Sequence, residues 1–331
     1  MMINLKINGK KEDTDYSVVV PVYNEEGNIA ALDKEIKQVI AKLKPINKSK
    51  IFVSYEIIYV NDGSRDNSLN ELKKLDNIKI IDLNRNYGQA TAIDAGFKSA
   101  NGKIIISMDS DLQNDPKDIP RLLEKLNKEN LDVVAGWRKN RKDKTGIKIL
   151  TKTGKLLRNF LIKDEVHDTG CTLRVYKKEA IKSLDLQGEM HRYILALLKW
   201  KGYKVGELEV NHRSRISGET KYGYAKAIRG FLDLVYIWFI QKFSQRPLHI
   251  FGYASILSFF IGILTAIISA YQRIFGHQSL NRNGFFFLSI FFGLATILFF
   301  TSGIIIDLLI KIHLNTSHYE QRYCVRSVIE K

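Results

Sequence analysis

The chain has 331 residues, 45% hydrophobic and 11% aromatic, enough to build a sizeable core in one large domain or two. Its 51 Lys and Arg against 35 Asp and Glu leave a net charge of +16, which points to a polyanionic partner: nucleic acid, an anionic membrane face or phosphorylated ligands. Two cysteines far apart, Cys171 and Cys324, exclude a disulfide framework and a Cys-rich zinc site, and suit a reducing cytosol.

The opening MMINLKINGKKEDTD is polar and has no apolar run, so no secretory signal is expected there. Tyr16–Val22 reads as a strand, with Asn24 expected to cap a helix from Glu25 to about Leu43. Phe52–Val60 alternates and is rich in β-branched and aromatic residues, a second strand. It ends in the turn cluster Asn61-Asp62-Gly63-Ser64, and Asp66 is expected to cap the next helix. Strands are predicted at Ile78–Leu83, Ile104–Met108 and Val133–Gly136, with helices at Gly88–Ala100 and Ile119–Lys128 between them. This alternation predicts an α/β fold, a mostly parallel sheet with helices on both faces.

A helix is predicted over Thr145–Ile162, with Lys148, Lys152, Lys155 and Arg158 on one face. A solvated basic stripe and a contact with anionic headgroups are both open readings of that face. Gly188–Gly202 reads as a helix, and Tyr203–Asn211 as a strand running into the basic turn His212-Arg213-Ser214-Arg215. Tyr224–Phe243 is aromatic and amphipathic and directly precedes an apolar run, the setting of an interfacial helix. Leu248–Tyr271 and Phe285–Ile306 are each long enough to span about 30 Å of hydrocarbon, which takes about 20 helical residues. The short polar link Gln272–Gly284 makes them a hairpin. Lys and Arg crowd the region before the first span and recur after the second, whereas the link holds only Arg273 and Arg282, so both termini are expected in the cytoplasm.

The stretch IIISMDSDLQNDP, Ile104–Pro116, carries the chemistry. Asp109, Asp111 and Gln113 follow the carboxyl end of a strand, where open α/β sheets bind ligands. Hard oxygen donors of this kind suit a divalent cation that keeps waters and phosphate oxygens as its other ligands. The alternative is a solvated loop capped by Asp115-Pro116. Two further strand ends, Pro21-Val22-Tyr23-Asn24-Glu25 and Asn61-Asp62-Gly63-Ser64, fall on the same rim. They make a nucleotide site without a Walker loop, in which Asp62 could bond a base and Glu25 a ribose hydroxyl.

VVVPVYNEEGNI, EIIYVNDGSRDNSL, LNRNYGQATAIDAGF and MDSDLQNDP resemble the GT-A fold of inverting family 2 glycosyltransferases. VAGWRKNR, DTGCTLRVYKKEA, GEMHRYILALL, EVNHRSRISGETKYG and the two spans narrow the resemblance to the polyprenyl-phosphate sugar transferases. That family includes dolichol-phosphate mannose synthase and bacterial undecaprenyl-phosphate glucosyl and aminoarabinosyl transferases. The resemblance implies a cytoplasmic GT-A domain over residues 1–223 with a Rossmann-like, mostly parallel sheet. An interfacial helix over 224–247, a transmembrane hairpin over 248–312 and a cytoplasmic tail over 313–331 would follow. It implies an inner-membrane enzyme of the cell envelope, with a homotetramer as the assembly the family suggests, that moves a sugar from a UDP- or GDP-linked donor to undecaprenyl or dolichyl phosphate and takes no nucleic acid.

Roles follow at matching positions. Pro21, Tyr23, Glu25 and Asp62 would hold the nucleoside. Asp109, Asp111 and Gln113 would hold Mg²⁺ or Mn²⁺ against the donor diphosphate. Arg138, Arg174, Arg213 and Lys221 would bind donor or lipid phosphates. Asp168 stands where the family has a candidate base or positioning group, and a plain turn residue is the other reading. The chain departs from the family at Asp115, where proline is common, and at Asp307, where a bacterial subgroup has Glu; both bear on the donor sugar rather than the reaction. A processive polysaccharide synthase would need more spans and a Gln-x-x-Arg-Trp motif, which this sequence lacks.

Overall fold

A computed structural model describes residues 14–46, 51–139, 166–184, 186, 190–213, 235, 238, 247–277, 279–316 and 325–330. Lys221, the basic helix expected over 145–162 and nearly all of the expected interfacial helix lie outside the described residues. The chain forms two compact units, one of residues 1–235 and 322–331, the other of 236–321.

The first unit is a mixed eight-stranded sheet. Its strands are β1 (Tyr16–Val22), β2 (Tyr55–Asn61), β3 (Lys79–Leu83), β4 (Ile104–Ser107), β5 (Val133–Trp137), β6 (Arg174–Lys177), β7 (Val205–Glu209) and β8 (Val325–Glu330), in the spatial order β7-β5-β6-β4-β1-β2-β3-β8. The central strands β4, β1, β2 and β3 run parallel, as the alternation predicts. All seven residues of β1 are buried, which is why that segment reads as a continuous apolar run. Helices α1 (Ile29–Ile40), α2 (Ser68–Lys73) and α4 (Ile119–Lys128) cover one face, closing a core with Val18, Val20, Ile57 and Ile106. Helices α3 (Gln89–Ser99), α5 (Lys178–Lys182) and α6 (Ile194–Trp200) cover the other, over Val19, Ile58, Ile105 and Val133.

Two strands were not expected. β6 lies antiparallel between β4 and β5, and β8 lies antiparallel on the outer edge of β3. Each is short and carries charged residues, so neither has the apolar signature of a buried strand. The start of α1 also differs: it begins at Ile29, and Asn24 sits before it with φ +56°. Asn24 caps nothing, because its carboxamide oxygen accepts the Arg65 N–H at 2.8 Å. Asp66 does accept the Ser68 N–H at the start of α2, and its other oxygen accepts the Glu26 N–H. The Glu25 N–H donates to Ser68 Oγ at 2.9 Å, so the loops after β1 and β2 are laced together instead of capping their helices separately.

The second unit is a helical hairpin of α7 (Pro247–Ile274) and α8 (Gly284–Thr316). Both helices are long and apolar enough to cross a membrane. Ser255, Ser258, Thr265 and Ser269 are buried, spaced by threes and fours with Gly262 between, so α7 turns its small residues toward α8. A Cβ on Gly262 would meet Phe292 at 3.4 Å, and Ser255 Oγ donates to the Thr296 carbonyl at 3.0 Å. Small residues and interhelical hydrogen bonds are what drive helix association when lipid removes the hydrophobic incentive.

Candidate active site

The rim at the carboxyl ends of β1, β2 and β4 gathers the acidic residues. Asp109 follows β4 by two residues. Burial and the neighbouring Asp111 charge push its carboxyl up to about 6, against opposing help from Thr172, Arg138 and Arg174. Two carboxylates forced together in a partly desolvated site favour a bound cation, which would neutralise both. Asp111 Oδ1 accepts the Gln113 N–H at 3.1 Å, and Leu112 between them is buried at φ +59°, so the loop turns sharply just past the pair. Oxygen donors in this arrangement fit a hard divalent ion.

The loop is pinned from outside. The Arg213 N–H donates to the Gln113 carbonyl at 2.9 Å, and Asn114 bridges to His212. The Arg213 guanidinium donates to Glu35 at 2.8 Å and pairs with Asp115 Oδ1 at 2.8 Å. Asp115 also accepts the Lys117 N–H, the helix cap its sequence predicts. Arg213, expected to meet a phosphate, is therefore already spanned by two carboxylates.

Asp168 and Arg138 form a two-pronged ion pair, Nε to Oδ2 at 2.7 Å and Nη2 to Oδ1 at 3.0 Å. Asp168 also accepts the Arg138 and Gly170 backbone N–H groups. Burial works against the Asp168 charge, but these partners outweigh it and hold the carboxyl below its ordinary value. Glu207 accepts the N–H groups of His167 and Asp168, and the His167 ring stacks on Trp137 at 4.5 Å, so the pair sits in a braced frame. Arg174 is buried in β6, and its guanidinium donates to the carbonyls of Cys171, Thr169 and His191. It holds the 169–171 turn, and its charge reaches Asp109 without a direct bond.

Among the residues expected to hold the nucleoside, Pro21 is buried near the end of β1 and Tyr23 is exposed just beyond it. Glu25 accepts the Asn28 side-chain amide at 2.6 Å. Asp62 is buried, and its two oxygens accept the Tyr87 and Gly88 N–H groups at 2.7 and 2.9 Å. Burial nevertheless raises its carboxyl above the ordinary value. Gly63 has φ +64°, and a Cβ there would strike the backbone of Arg85 and Asn86. Three groups given no role in the sequence contribute to the site: Gln89, which donates to Asp109 Oδ1 at 2.7 Å; Thr172, whose hydroxyl helps lower the Asp109 carboxyl; and Glu35 on α1. The sequence signals for Gln89 were its place in the LNRNYGQATAIDAGF stretch and directly after a turn glycine at the start of a helix.

The sheet order, the helices on both faces and the acidic rim define a GT-A-type glycosyltransferase. A family model for glycosyl transferase family 2 matches residues 17–185. The chain is 32% identical to a dodecaprenyl-phosphate galacturonate synthase of Rhizobium johnstonii, over 98% of this chain and 95% of that protein. It is also 32% identical to an undecaprenyl-phosphate 4-deoxy-4-formamido-L-arabinose transferase of Proteus mirabilis, over 95% and 93%. The chain belongs to glycosyl transferase family 2. Among solved structures, the glucosyl-3-phosphoglycerate synthase of Mycobacterium tuberculosis, crystallised with Mn²⁺, UDP and glucosyl-3-phosphoglycerate, aligns with a TM-score of 0.53. At 16% identity, over 69% of this chain and 80% of that one, the likeness is one of fold.

Proposed function

We propose that the protein transfers a sugar from a nucleoside-diphosphate donor to a polyprenyl phosphate at the membrane surface, with inversion at the anomeric carbon. The observation that carries this reading is end-to-end similarity, through both apolar helices, to two relatives named for polyprenyl phosphates. The lipid phosphate oxygen bonds to the anomeric carbon as the bond to the donor diphosphate breaks on the opposite side. The transition state is oxocarbenium-like. A phosphate monoester has its second pKa near 6, so the acceptor is largely dianionic at neutral pH and needs no strong base.

Asp109 and Asp111, with Gln113, are the residues that would hold Mg²⁺ or Mn²⁺. Bound there, the ion supplies Lewis-acid stabilisation of the charge developing on the leaving diphosphate. Asp168 fits a positioning role better than that of a base, because a carboxylate held low by a guanidinium binds a proton weakly. It aims Arg138, whose Nη1 is the one guanidinium nitrogen not engaged by Asp168 and which lies within electrostatic reach of Asp109. We assign phosphate contact to Arg138 ahead of Arg174, since all three guanidinium nitrogens of Arg174 already donate to backbone carbonyls.

The catalytic domain and both termini are assigned to the cytoplasmic side. The pairing of β8 with β3 supports a common side for the catalytic domain and the C-terminal strand, because chain beyond the hairpin returns to the sheet, and the Lys and Arg flanking the spans favour the cytoplasm. The test is to incubate the purified protein with undecaprenyl phosphate, Mn²⁺ and a panel of labelled UDP- and GDP-sugars. One donor should yield a lipid-extractable labelled product. If label passes only to water or to a growing glycan, the acceptor assignment is wrong.

A further inference from the structure

The turn ahead of α3 is held from two directions. Asp62, just past β2, takes the Tyr87 and Gly88 N–H groups, and Gly63 lets the backbone of Arg85 and Asn86 lie against it. The Arg85 guanidinium lies 4.6 Å from the centre of the Tyr87 ring. Gly88 takes φ +94°, a conformation in which glycine escapes the strain a side chain would bring, and the chain enters α3 with Gln89 as its first residue. From that fixed start the Gln89 amide reaches Asp109, donating from Nε2 to Oδ1 at 2.7 Å.

We propose that Gln89 is a positioning residue, whose amide fixes the rotation of the Asp109 carboxylate and so leaves Oδ2 to face a divalent cation. The inference rests on the reading of Asp109 and Asp111 as metal ligands. A neutral donor suits this task, because it orients the carboxylate without cancelling its charge. A Lys or Arg in the same place would compete with the metal. Outer partners of this kind orient ligating carboxylates and commonly change metal affinity by roughly 10- to 100-fold when removed. The same geometry gives Asp62 an indirect part: it anchors the turn that aims Gln89, so the ends of β2 and β4 are coupled through the start of α3.

The side chain of Gln89 is exposed, so it can be replaced without opening the core. The experiment titrates Mn²⁺ into the purified full-length protein in detergent without donor, following free Mn²⁺ by electron paramagnetic resonance. Gln89→Met keeps the length and removes the donor; its Mn²⁺ dissociation constant should rise about tenfold or more. Gln89→Lys should weaken binding further. Gln89→Asn keeps an amide that is one methylene too short, and it reads the same quantity if the Met variant does not fold. Nucleoside-diphosphate affinity measured without metal should stay within about twofold throughout, because Gln89 acts through Asp109. Unchanged Mn²⁺ affinity in these variants, with wild-type binding abolished by Asp111→Ala, overturns the positioning role alone. Absence of Mn²⁺ binding by the wild type, or full binding by Asp111→Ala, overturns the metal reading and this inference with it.

Discussion

Asp109 and Asp111 are two carboxylates whose charges oppose one another. Burial and mutual repulsion hold the Asp109 carboxyl at about 6, and a cation between the two would relieve both effects. Asp111→Ala is therefore expected to abolish transfer at every Mn²⁺ concentration, measured as labelled lipid product; normal turnover without added metal would refute the assignment. Asp168 behaves oppositely. Its folded carboxyl lies below the unfolded value of about 3.9, so the stability it adds is fully present above that pH and is lost as pH falls through the folded value. Both side chains of the pair are largely buried, and breaking such a pair costs roughly 3 kcal/mol. Asp168→Asn should lower the thermal midpoint by a constant amount at neutral pH. Below about pH 4 the gap between the variant and the wild type should close. A gap that persisted unchanged at pH 3 would contradict the pairing.

At the scale of elements, β8 is the unexpected member. It covers the outer edge of β3, which would otherwise present a row of unpaired backbone groups. Ile329 packs against the core under α1 and α2, and Ile80 is its partner across the ladder. Ile329→Asp should release the strand and cost about 2 kcal/mol of burial, read as a lower unfolding midpoint of the detergent-solubilised protein. A midpoint equal to the wild type would mean that β8 contributes little to the sheet. The lacing of the β1 and β2 loops through Asn24, Glu25, Ser64 and Ser68 has a related consequence: that part of the rim is set by two loops acting as one.

The whole molecule carries a topological constraint that no single element states. Asp109 and Asp111 precede the hairpin and β8 follows it, yet β4 and β8 belong to one sheet. On the topology proposed above, the link between α7 and α8 lies on the far side of the membrane from Asp109 and Asp111. Asn281→Cys, with Cys324→Ser, should react with an impermeant thiol reagent in intact cells. Cys171 needs no replacement, since burial pushes its thiol up to about 11 and keeps it unreactive. Labelling only after lysis would invert the topology. A high positive charge suits the same picture, in which a basic catalytic unit works against anionic phosphates.

Local pattern alone determined the central strands, the helix Ile119–Lys128, the two apolar helices and the Asp109–Gln113 loop. Apolar runs, turn residues and paired acids are properties of neighbouring residues, and neighbours are what a sequence displays. The tertiary structure decided which side chains each charge meets. Arg213 bonds Glu35 from 178 positions away, Arg138 meets Asp168 from 30, and Gln89 reaches Asp109 from 20. It also decided that β6 and β8 join the sheet antiparallel, though neither has an apolar run of its own. Such pairings depend on strand order and register, which are fixed by burial summed over the whole sheet and leave no mark at the residues themselves.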